Sequence, residues 1–137
     1  MTGHRVVNPP ELGPAVGFSH AVVAAPGRVV YLGGQVAQGA DGVVVGGPLV
    51  EQFDIALGNV VTALRAAGAA PEHLVRLTVY TTVPDDYRAA LGELGAAYRK
   101  HLGKHYPAMA FFAVSGLFDP AAVVELLGTA VVPEVDA

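Results

Sequence analysis

A single charged residue, Glu125, interrupts the apolar run AAVVELLGTAVV that occupies residues 121 to 132. The run predicts a strand, and alternation along it gives Glu125 apolar neighbours on both faces. An ionised carboxylate is costly in an apolar interior unless it is paired or its pKa rises. A carboxyl group with a raised pKa can serve as a general acid or base. The pattern alone leaves a catalytic and a structural Glu125 equally open.

The other residue types that carry chemistry form no recognised motif. His101 and His105 have the spacing of paired helical metal ligands, but Gly103 predicts that the helix ends between them, so no metal site is predicted. No glycine pair stands in a nucleotide-binding arrangement, and neither Ser19 nor Ser115 lies in a G-x-S-x-G setting. The chain has no cysteine, which excludes disulfides and thiolate nucleophiles.

The composition restricts the class of partner. Charged residues make up 15% of the chain, against about 25% in an ordinary soluble domain, and apolar residues make up 53%. So few charged residues leave part of the surface of a small domain apolar. We therefore expect the protein to bury this apolar surface against copies of itself. A net charge of −4 without a basic cluster argues against a nucleic-acid partner. No segment has the pattern of a membrane span or a signal peptide, so we expect a cytoplasmic protein.

The elements that must position Glu125 follow from the periodicity of the apolar residues. A proline-rich arm is predicted for residues 1–17. Strands are predicted at residues 20–24, 28–36, 43–45, 74–83, 108–114 and 122–132, and helices at residues 49–67 and 85–102. This order predicts an α+β fold in one domain, residues 1–137, with two helices on one face of the sheet. The other sheet face needs a cover, and another subunit is the simplest one.

Two of these elements have a predicted inner face. In the strand LVRLTVYTTV, alternation separates Val75, Leu77 and Val79 from Arg76, Thr78 and Tyr80. In the second helix, the predicted inner stripe is Leu91, Leu94, Ala97, Tyr98 and His101. Asp85 is the candidate cap of that helix.

Several segments, taken in order, resemble the RidA/YjgF family. EQFDIALGNVVTALRAAGA resembles its first helix, and LVRLTVYTT resembles its central strand. YLGGQVA is similar to the segment with the family's Ser-Gly-Gln triplet, YPAMAFFAV to the one with Pro-Ala-Arg, and VVELLGTAVV to the last strand with its glutamate. The similarity covers about residues 13–132. It implies a chorismate-mutase-like α+β fold with a mixed sheet, assembled as a homotrimer whose sheets pack into a central core.

The resemblance also implies a function. Ligand clefts in this family lie between neighbouring subunits, and the best-known activity is hydrolysis of enamines and imines, such as 2-aminoacrylate, to a 2-oxoacid and ammonia, without a cofactor. An arginine binds the substrate carboxylate bidentately, and a glutamate holds the attacking water. Glu125 matches that glutamate and is the predicted catalytic residue. The predicted substrate-binding residues are Phe18, Gly33, Gly34, Gln35, Met109 and Phe111.

The chain departs from the family pattern at polar positions. Met109 stands where the family has its arginine, and Gly33 stands where it has its serine. Phe18 matches the family's cleft tyrosine, and Gly95 falls close to its helical asparagine. A methionine cannot pair with a carboxylate, so the cleft is predicted to be more apolar than the family norm. This favours a larger, less anionic ligand.

Three functions remain open at this point, in the following order. The first is an enzyme that uses Glu125 for proton transfer on an enamine, imine or related intermediate, in a hydrolysis, a rearrangement or a cyclisation. The second is a trimer that binds a small molecule without catalysis. The third is ordinary 2-aminoacrylate deamination, in which a cation from a neighbouring chain, such as Arg28, Arg76 or His105, replaces the lost arginine. RNA cleavage, sometimes attached to this family, has little support in an acidic chain.

Overall fold

The computed structural model describes residues 2–134 of the 137-residue chain. The strands are β1 (Arg5–Val7), β2 (Ala21–Val23), β3 (Gly27–Tyr31), β4 (Leu74–Thr81), β5 (Ala108–Ala113) and β6 (Val124–Pro133). The helices are α1 (Leu49–Ala66), α2 (Pro84–Ala89) and α3 (Leu91–Leu102), and a 3₁₀ turn spans Pro71–His73.

Strand β6 is the centre of a four-stranded mixed sheet. It pairs antiparallel with β3 on one side and with β4 on the other, and β4 pairs parallel with β5. The resulting order is β3-β6-β4-β5, while β1 and β2 form a separate two-stranded sheet. The predicted α+β class with a mixed sheet is confirmed.

The core lies between this sheet and helices α1 and α3. Helix α1 presents apolar residues at helical spacing, and the most deeply buried of them are Phe53, Leu57, Val60 and Leu64. The side chains of β6 that face the helices are buried, namely Val124, Leu126, Ala130 and Val132. Alternation turns the intervening residues of β6 to the opposite face, which none of the described helices covers. We call that surface the open sheet face.

Helix α1 ends as the sequence predicts. Gly68 has a φ of +79°, in the left-handed region that favours glycine. The Gly68 N–H donates to the Arg65 carbonyl (3.0 Å), and the Ala69 N–H donates to the Leu64 carbonyl (2.8 Å). This pair of bonds is a Schellman motif, which satisfies carbonyls that the end of a helix leaves without partners.

The predicted second helix, residues 85–102, is wrong as one element. It is divided at Ala90, whose φ of −115° and ψ of 21° lie outside helical geometry, into α2 and α3. Asp85 is not the cap, because α2 begins at Pro84 after Val83 and has no side-chain cap hydrogen bond. Leu91 is 60% exposed and does not belong to the inner stripe.

The N-terminal half also differs from the prediction. The arm contains β1, which pairs with β2 and thereby separates β2 from the main sheet. Strand β3 ends at Tyr31, and the predicted strand at residues 43–45 is reduced to one bridge between Val44 and Gln38. Within residues 2–134, no helix has the length and apolar character needed to cross a membrane.

Candidate functional site

Glu125 lies on the open sheet face. It is half-buried and stands directly across from Tyr80 of β4. The ring of Tyr80 stacks on that of Phe112 of β5, with centroids 5.8 Å apart and planes 22° from parallel. Among residues 2–134, no side chain or backbone group makes a hydrogen bond or ion pair with the Glu125 carboxylate. The carboxylate is therefore available to a ligand or to a second chain.

Two glycines make room for this carboxylate. Beyond β3 the chain stays beside β6, because Gln35 and Leu126 exchange two backbone hydrogen bonds of 2.8 Å. Gly33 and Gly34 together stand opposite one residue of β6, which is the geometry of a β-bulge. A Cβ on Gly34 would overlap Oε2 of Glu125, whereas a Cβ on Gly33 would meet no atom within 4 Å. Three predicted site residues, Gly33, Gly34 and Gln35, thus lie beside Glu125.

Helix α1 fixes the segment that follows the bulge. The Asn59 side-chain amide donates to the backbone carbonyls of Val36 (3.0 Å) and Gln38 (2.8 Å). These bonds tie the chain immediately after Gln35 to a buried helix. The position of the glycine bulge is therefore set from α1 as well as from β6.

The start of β6 is fixed by the same helix through Gln52. This side chain is 1% exposed. Its Nε2 donates to the carbonyls of Gly47 (3.2 Å) and Ala121 (3.0 Å), and its Oε1 accepts from the Val123 N–H (2.9 Å). Gln52 thereby satisfies all three of these backbone groups and fixes the chain two residues before Glu125.

Met109 and Phe111 lie on the helix side of the sheet. In the parallel β4–β5 pair, Met109 is in register with Leu77, and Phe111 is in register with Val79. Both partners are buried in the core, so the two β5 side chains point toward the helices. The ring of Phe111 makes an edge contact with Tyr87 of α2, with centroids 5.8 Å apart.

A cavity of about 330 Å³ opens between β5 and the α2–α3 helices. We call it the aromatic cavity, because its walls include Phe53, Tyr87, Tyr98, Tyr106, Met109 and Phe111. The rings of Tyr98 and Tyr106 are stacked, with centroids 5.3 Å apart and planes within 6°. Gly95 and Arg99 of α3 also line it.

Phe18 lies in a second cavity of about 340 Å³. The two cavities have Val16, Tyr87, Leu91 and Phe111 in common. The segment that carries Phe18 is held along the edge strand β5, because the Ser19 N–H donates to the Pro107 carbonyl (3.0 Å). Phe112 lines this second cavity as well, so the cavity reaches the edge of the sheet beside Tyr80.

Two tyrosines of the aromatic cavity, Tyr87 and Tyr98, keep their protons over a wide pH range. Burial raises the pKa of Tyr87 to about 12. Burial, followed by the neighbouring Tyr106, also raises the pKa of Tyr98, whose hydroxyl donates to the His105 carbonyl (2.6 Å). These side chains are therefore neutral at physiological pH, where the Tyr87 hydroxyl can donate a hydrogen bond to a ligand.

Within one chain, the three predicted substitute cations lie away from the aromatic cavity, and their predicted contribution from a neighbouring chain stays a prediction. Arg28 is exposed on β3, and Arg76 lines a different cavity beside Thr129. His105 bonds through Nε2 to the Leu74 carbonyl (2.8 Å). The arginine that does line the aromatic cavity is Arg99, which the sequence reasoning did not single out.

The two histidines at helical spacing have separate roles. His101 lies 2.7 Å from Asp54 of α1, and Lys100 approaches the same carboxylate at 3.0 Å. The hydrogen bond from His101, and then that from Lys100, lower the pKa of Asp54. Because His105 is instead bonded to the backbone of β4, the two rings do not converge on one point.

The predicted site residues thus form two groups. Glu125, with the three residues of the bulge segment, lies on the open sheet face, and Met109 and Phe111 lie on the helix side. Glu125 is in register with Tyr80 and Phe112, whereas Phe111 is in register with Val79 and Leu126 on the opposite face, so the carboxylate and the aromatic cavity of one chain do not face each other. Phe18 belongs to the second group through the cavity it shares with Phe111.

Known proteins resemble this chain in sequence and structure. The family model described as Endoribonuclease L-PSP matches residues 9–132. The structure of YyfB from Yersinia pestis, a protein of unknown function of the conserved Rid family, is similar over 96% of this chain and 99% of its own, with 38% identity and a TM-score of 0.83. This chain belongs to the RidA/YjgF family.

Further members of the RidA/YjgF family show the range of the relationship. The 2-iminobutanoate/2-iminopropanoate deaminase of Capra hircus is 30% identical over 115 residues, which are 82% of this chain and 80% of the relative. A Mycobacterium tuberculosis protein of the YjgF/YER057c/UK114 family is 29% identical, covers 95% of this chain and 100% of its own, and has a TM-score of 0.61. The resemblance predicted from the motifs is confirmed, and so is the YjgF-like fold.

Proposed function

We propose that the protein hydrolyses 2-imino acids or their enamine tautomers to 2-oxo acids and ammonia, with Glu125 as the general acid and base. The substrate occupies a cleft between two copies of the chain. It carries a larger apolar side chain than the substrates named for the Capra hircus relative, 2-iminobutanoate and 2-iminopropanoate.

The observation that carries this proposal is the setting of Glu125. Its carboxylate is half-buried on a sheet face, lies against a glycine that leaves space for it, and has no bonding partner in the described range 2–134. A structural carboxylate in such a place would normally be paired. The backbone around Glu125 is instead fixed by the contacts of Gln52 and Asn59, while its carboxylate is left without a partner, as a proton-transfer group requires.

The chemistry needs one carboxylate and one water. As the water oxygen attacks the imine carbon, Glu125 takes one proton from the water and passes it to the imine nitrogen, which gives a carbinolamine. Glu125 then takes the proton of the carbinolamine hydroxyl and delivers it to the amino nitrogen as the carbon–nitrogen bond breaks and ammonia leaves. The balance is R–C(=NH)–COO⁻ + H₂O → R–C(=O)–COO⁻ + NH₃, and neither oxidant nor reductant takes part.

Two copies of the chain are needed because Glu125 and the aromatic cavity lie on opposite faces of the sheet. A substrate in the aromatic cavity of one chain lies on the far side of the sheet from that chain's Glu125. Apolar side chains on the open sheet face are also strongly exposed, with Tyr31 at 81% and Leu127 at 40%. A homotrimer that covers these faces would bring Glu125 of one copy to the cavity of the next.

The position of Met109 supports the proposal that the substrate has an apolar side chain. It occupies a cavity wall formed largely by aromatic rings, where it can make dispersion contacts with a ligand but cannot bind a carboxylate. The same feature supports the second candidate, a trimer that binds a small molecule without turning it over. The two candidates differ in what Glu125 does, and this difference defines the experiment.

The test uses imino acids generated freshly in the assay by an amino-acid oxidase. One has the methyl side chain of alanine, and another has the benzyl side chain of phenylalanine. We expect the wild type to accelerate ammonia release, more for the benzyl compound, and Glu125→Gln to lose on the order of 10²- to 10⁴-fold. Glu93→Gln, which removes an exposed carboxylate of α3, is the matched control.

Two outcomes would overturn the proposal. If the wild type accelerates neither hydrolysis, the protein is not an imine hydrolase, and the binding function takes its place. If Glu125→Gln is as active as Glu93→Gln, the carboxylate is not the proton-transfer group. Met109→Arg adds a direct test of the apolar wall, since we expect it to shift the preference toward the methyl compound.

A further inference from the structure

The aromatic cavity contains one cationic side chain, Arg99 of α3, among its lining residues. Gly95 lies one helical turn earlier on the same face. A Cβ on Gly95 would lie 3.2 Å from the Arg99 Nη1 atom, a tight contact that the glycine avoids. The missing side chain therefore lets the guanidinium lie along the helix at the cavity.

The charge of Arg99 is not neutralised by a neighbour. Among residues 2–134, no carboxylate forms an ion pair with it and no carbonyl accepts a hydrogen bond from it. Other cations of the same helices differ: Arg88 pairs with Asp85 at 2.7 Å, and Lys100 pairs with Asp54 at 3.0 Å. No acidic side chain of the described residues lines the aromatic cavity.

A guanidinium above apolar walls defines the chemistry of a ligand. Its planar group of N–H donors matches a carboxylate bidentately. The walls of Tyr87, Tyr98, Tyr106 and Phe111 match a flat or branched apolar group. The volume of about 330 Å³ is at the lower end of the range of small-molecule sites, which suits a compact organic acid.

We propose that Arg99 is the carboxylate-binding residue of the aromatic cavity, and that the cavity selects carboxylic acids with an aromatic or branched apolar tail. The cation is thus supplied by a helix rather than by Met109 of β5. This inference deepens the proposed function, and it rests on that function for the claim that the bound acid is a substrate. The binding of the acid itself is tested separately.

The probe is 3-phenylpropanoate, a stable acid that cannot be hydrolysed, and binding is measured by calorimetry. The comparison compounds are 3-phenylpropanamide, which lacks the charge, and propanoate, which lacks the ring. We expect both to bind more weakly than the probe. We expect Arg99→Ala to raise the Kd for 3-phenylpropanoate on the order of 10- to 100-fold and to leave that of the amide unchanged. Arg99→Lys should lie between, because lysine keeps the charge without the bidentate geometry.

Arg65→Ala is the control, since Arg65 is exposed in the last turn of α1 and lines neither cavity. The inference is overturned if 3-phenylpropanoate does not bind the wild type, if the amide binds as tightly as the acid, or if Arg99→Ala binds like Arg65→Ala. Arg99 is itself exposed, so its substitution is compatible with folding, and a thermal melt of each variant verifies this.

The same variants separate this inference from the proposed function. Glu125→Gln should still bind 3-phenylpropanoate, because Arg99 is intact, while Arg99→Ala should raise the KM for the benzyl imino acid. If the acid binds through Arg99 but no imino acid is hydrolysed, the proposed function fails and the binding site stands. If imino acids are hydrolysed with a KM that Arg99→Ala does not change, Arg99 does not bind the substrate carboxylate, and the proposed function stands.

Discussion

The carboxylate of Glu125 lies against Gly34, so that a Cβ on residue 34 would overlap its Oε2 atom. Gly34 has no positive φ, and neither has Gly33, so the backbone does not require glycine at either position. The missing side chain at Gly34 is instead required by the place that the carboxylate occupies. The position beside it, Gly33, faces open space.

Gly34→Ala tests this relationship. The added methyl group must displace the carboxylate end of Glu125, which is flexible, so we expect Tm to change by less than about 4 °C. The catalytic group would be misplaced by an ångström or more, and kcat for imine hydrolysis should fall on the order of 10- to 100-fold. Gly33→Ala is the matched control, with both values near those of the wild type. Equal kcat values in the two variants would show that the contact with Gly34 does not determine the position of the Glu125 carboxylate.

Gln52→Leu tests the support of β6 from α1. The substitution leaves the Val123 N–H and the carbonyls of Gly47 and Ala121 without their partner, and we expect it to cost about 3 kcal/mol of the free energy of unfolding. Urea unfolding measures this change. Gln38→Leu is the comparison, because Gln38 is exposed and its side chain makes one bond, to Gly42; its cost should stay below about 1 kcal/mol. Equal costs would contradict the role given to Gln52.

Asp54→Asn tests the contact between α1 and α3. The pKa of Asp54 is lowered in the folded protein, so its contribution to stability is present above the unfolded value of 3.8 and is lost as the pH falls through the lowered value. The groups are partly exposed and screened, so we expect at most about 1 kcal/mol at pH 7. Unfolding of both proteins at pH 7 and at pH 2 should show a difference only at the higher pH. A difference that persists at pH 2 would point to lost packing instead.

Leu127→Glu tests the assembly that the proposed function requires. Leu127 lies two residues after Glu125 on β6, on the same open sheet face. A charge at this position would be buried if a second copy covers that face. We expect sedimentation to show trimers for the wild type and monomers for the variant. Val43→Glu changes a more exposed apolar residue, in the loop before α1, and should leave the trimer intact. A monomeric wild type would remove the basis for a shared cleft.

Local sequence pattern predicted the elements whose structure is determined locally. The spacing of apolar residues in α1, its end at Gly68 and the inward face of Leu77 and Val79 in β4 follow from neighbours along the chain. The prediction was wrong for Val75, which lines a cavity with Arg76 because the β4–β6 register shifts between Leu74 and Arg76. The pattern failed where contacts distant in sequence decide the outcome. Strand β2 pairs with β1 across the arm, and Leu91 faces the two cavities rather than the core.

In the candidate site, too, local sequence pattern predicted some residues, and contacts distant in sequence decided others. The apolar run around Glu125 was enough to predict an unusual carboxylate on a strand. Arg99 could not be found in this way, because its interest lies in the cavity that α3 forms with β5. Its one sequence signal is the glycine one helical turn earlier, and that signal has meaning only when the facing strand is known.

The central claim is that Glu125 of one copy acts on a substrate in the aromatic cavity of another. It is tested most directly by mixing two inactive variants. Glu125→Gln removes the proton-transfer group, and Gly95→Phe fills the cavity with a side chain that a helix accepts. Each homotrimer should be inactive toward the benzyl imino acid.

The measurement is the rate of imine hydrolysis after the two variants are unfolded together and refolded as mixed trimers. If the site is shared, each mixed trimer regains one site with an intact carboxylate and an intact cavity, and about a quarter of the wild-type activity returns at equal mixing. If both groups belong to the same chain, no mixed trimer contains an intact site. Activity that stays at the level of the separate variants would then contradict the account.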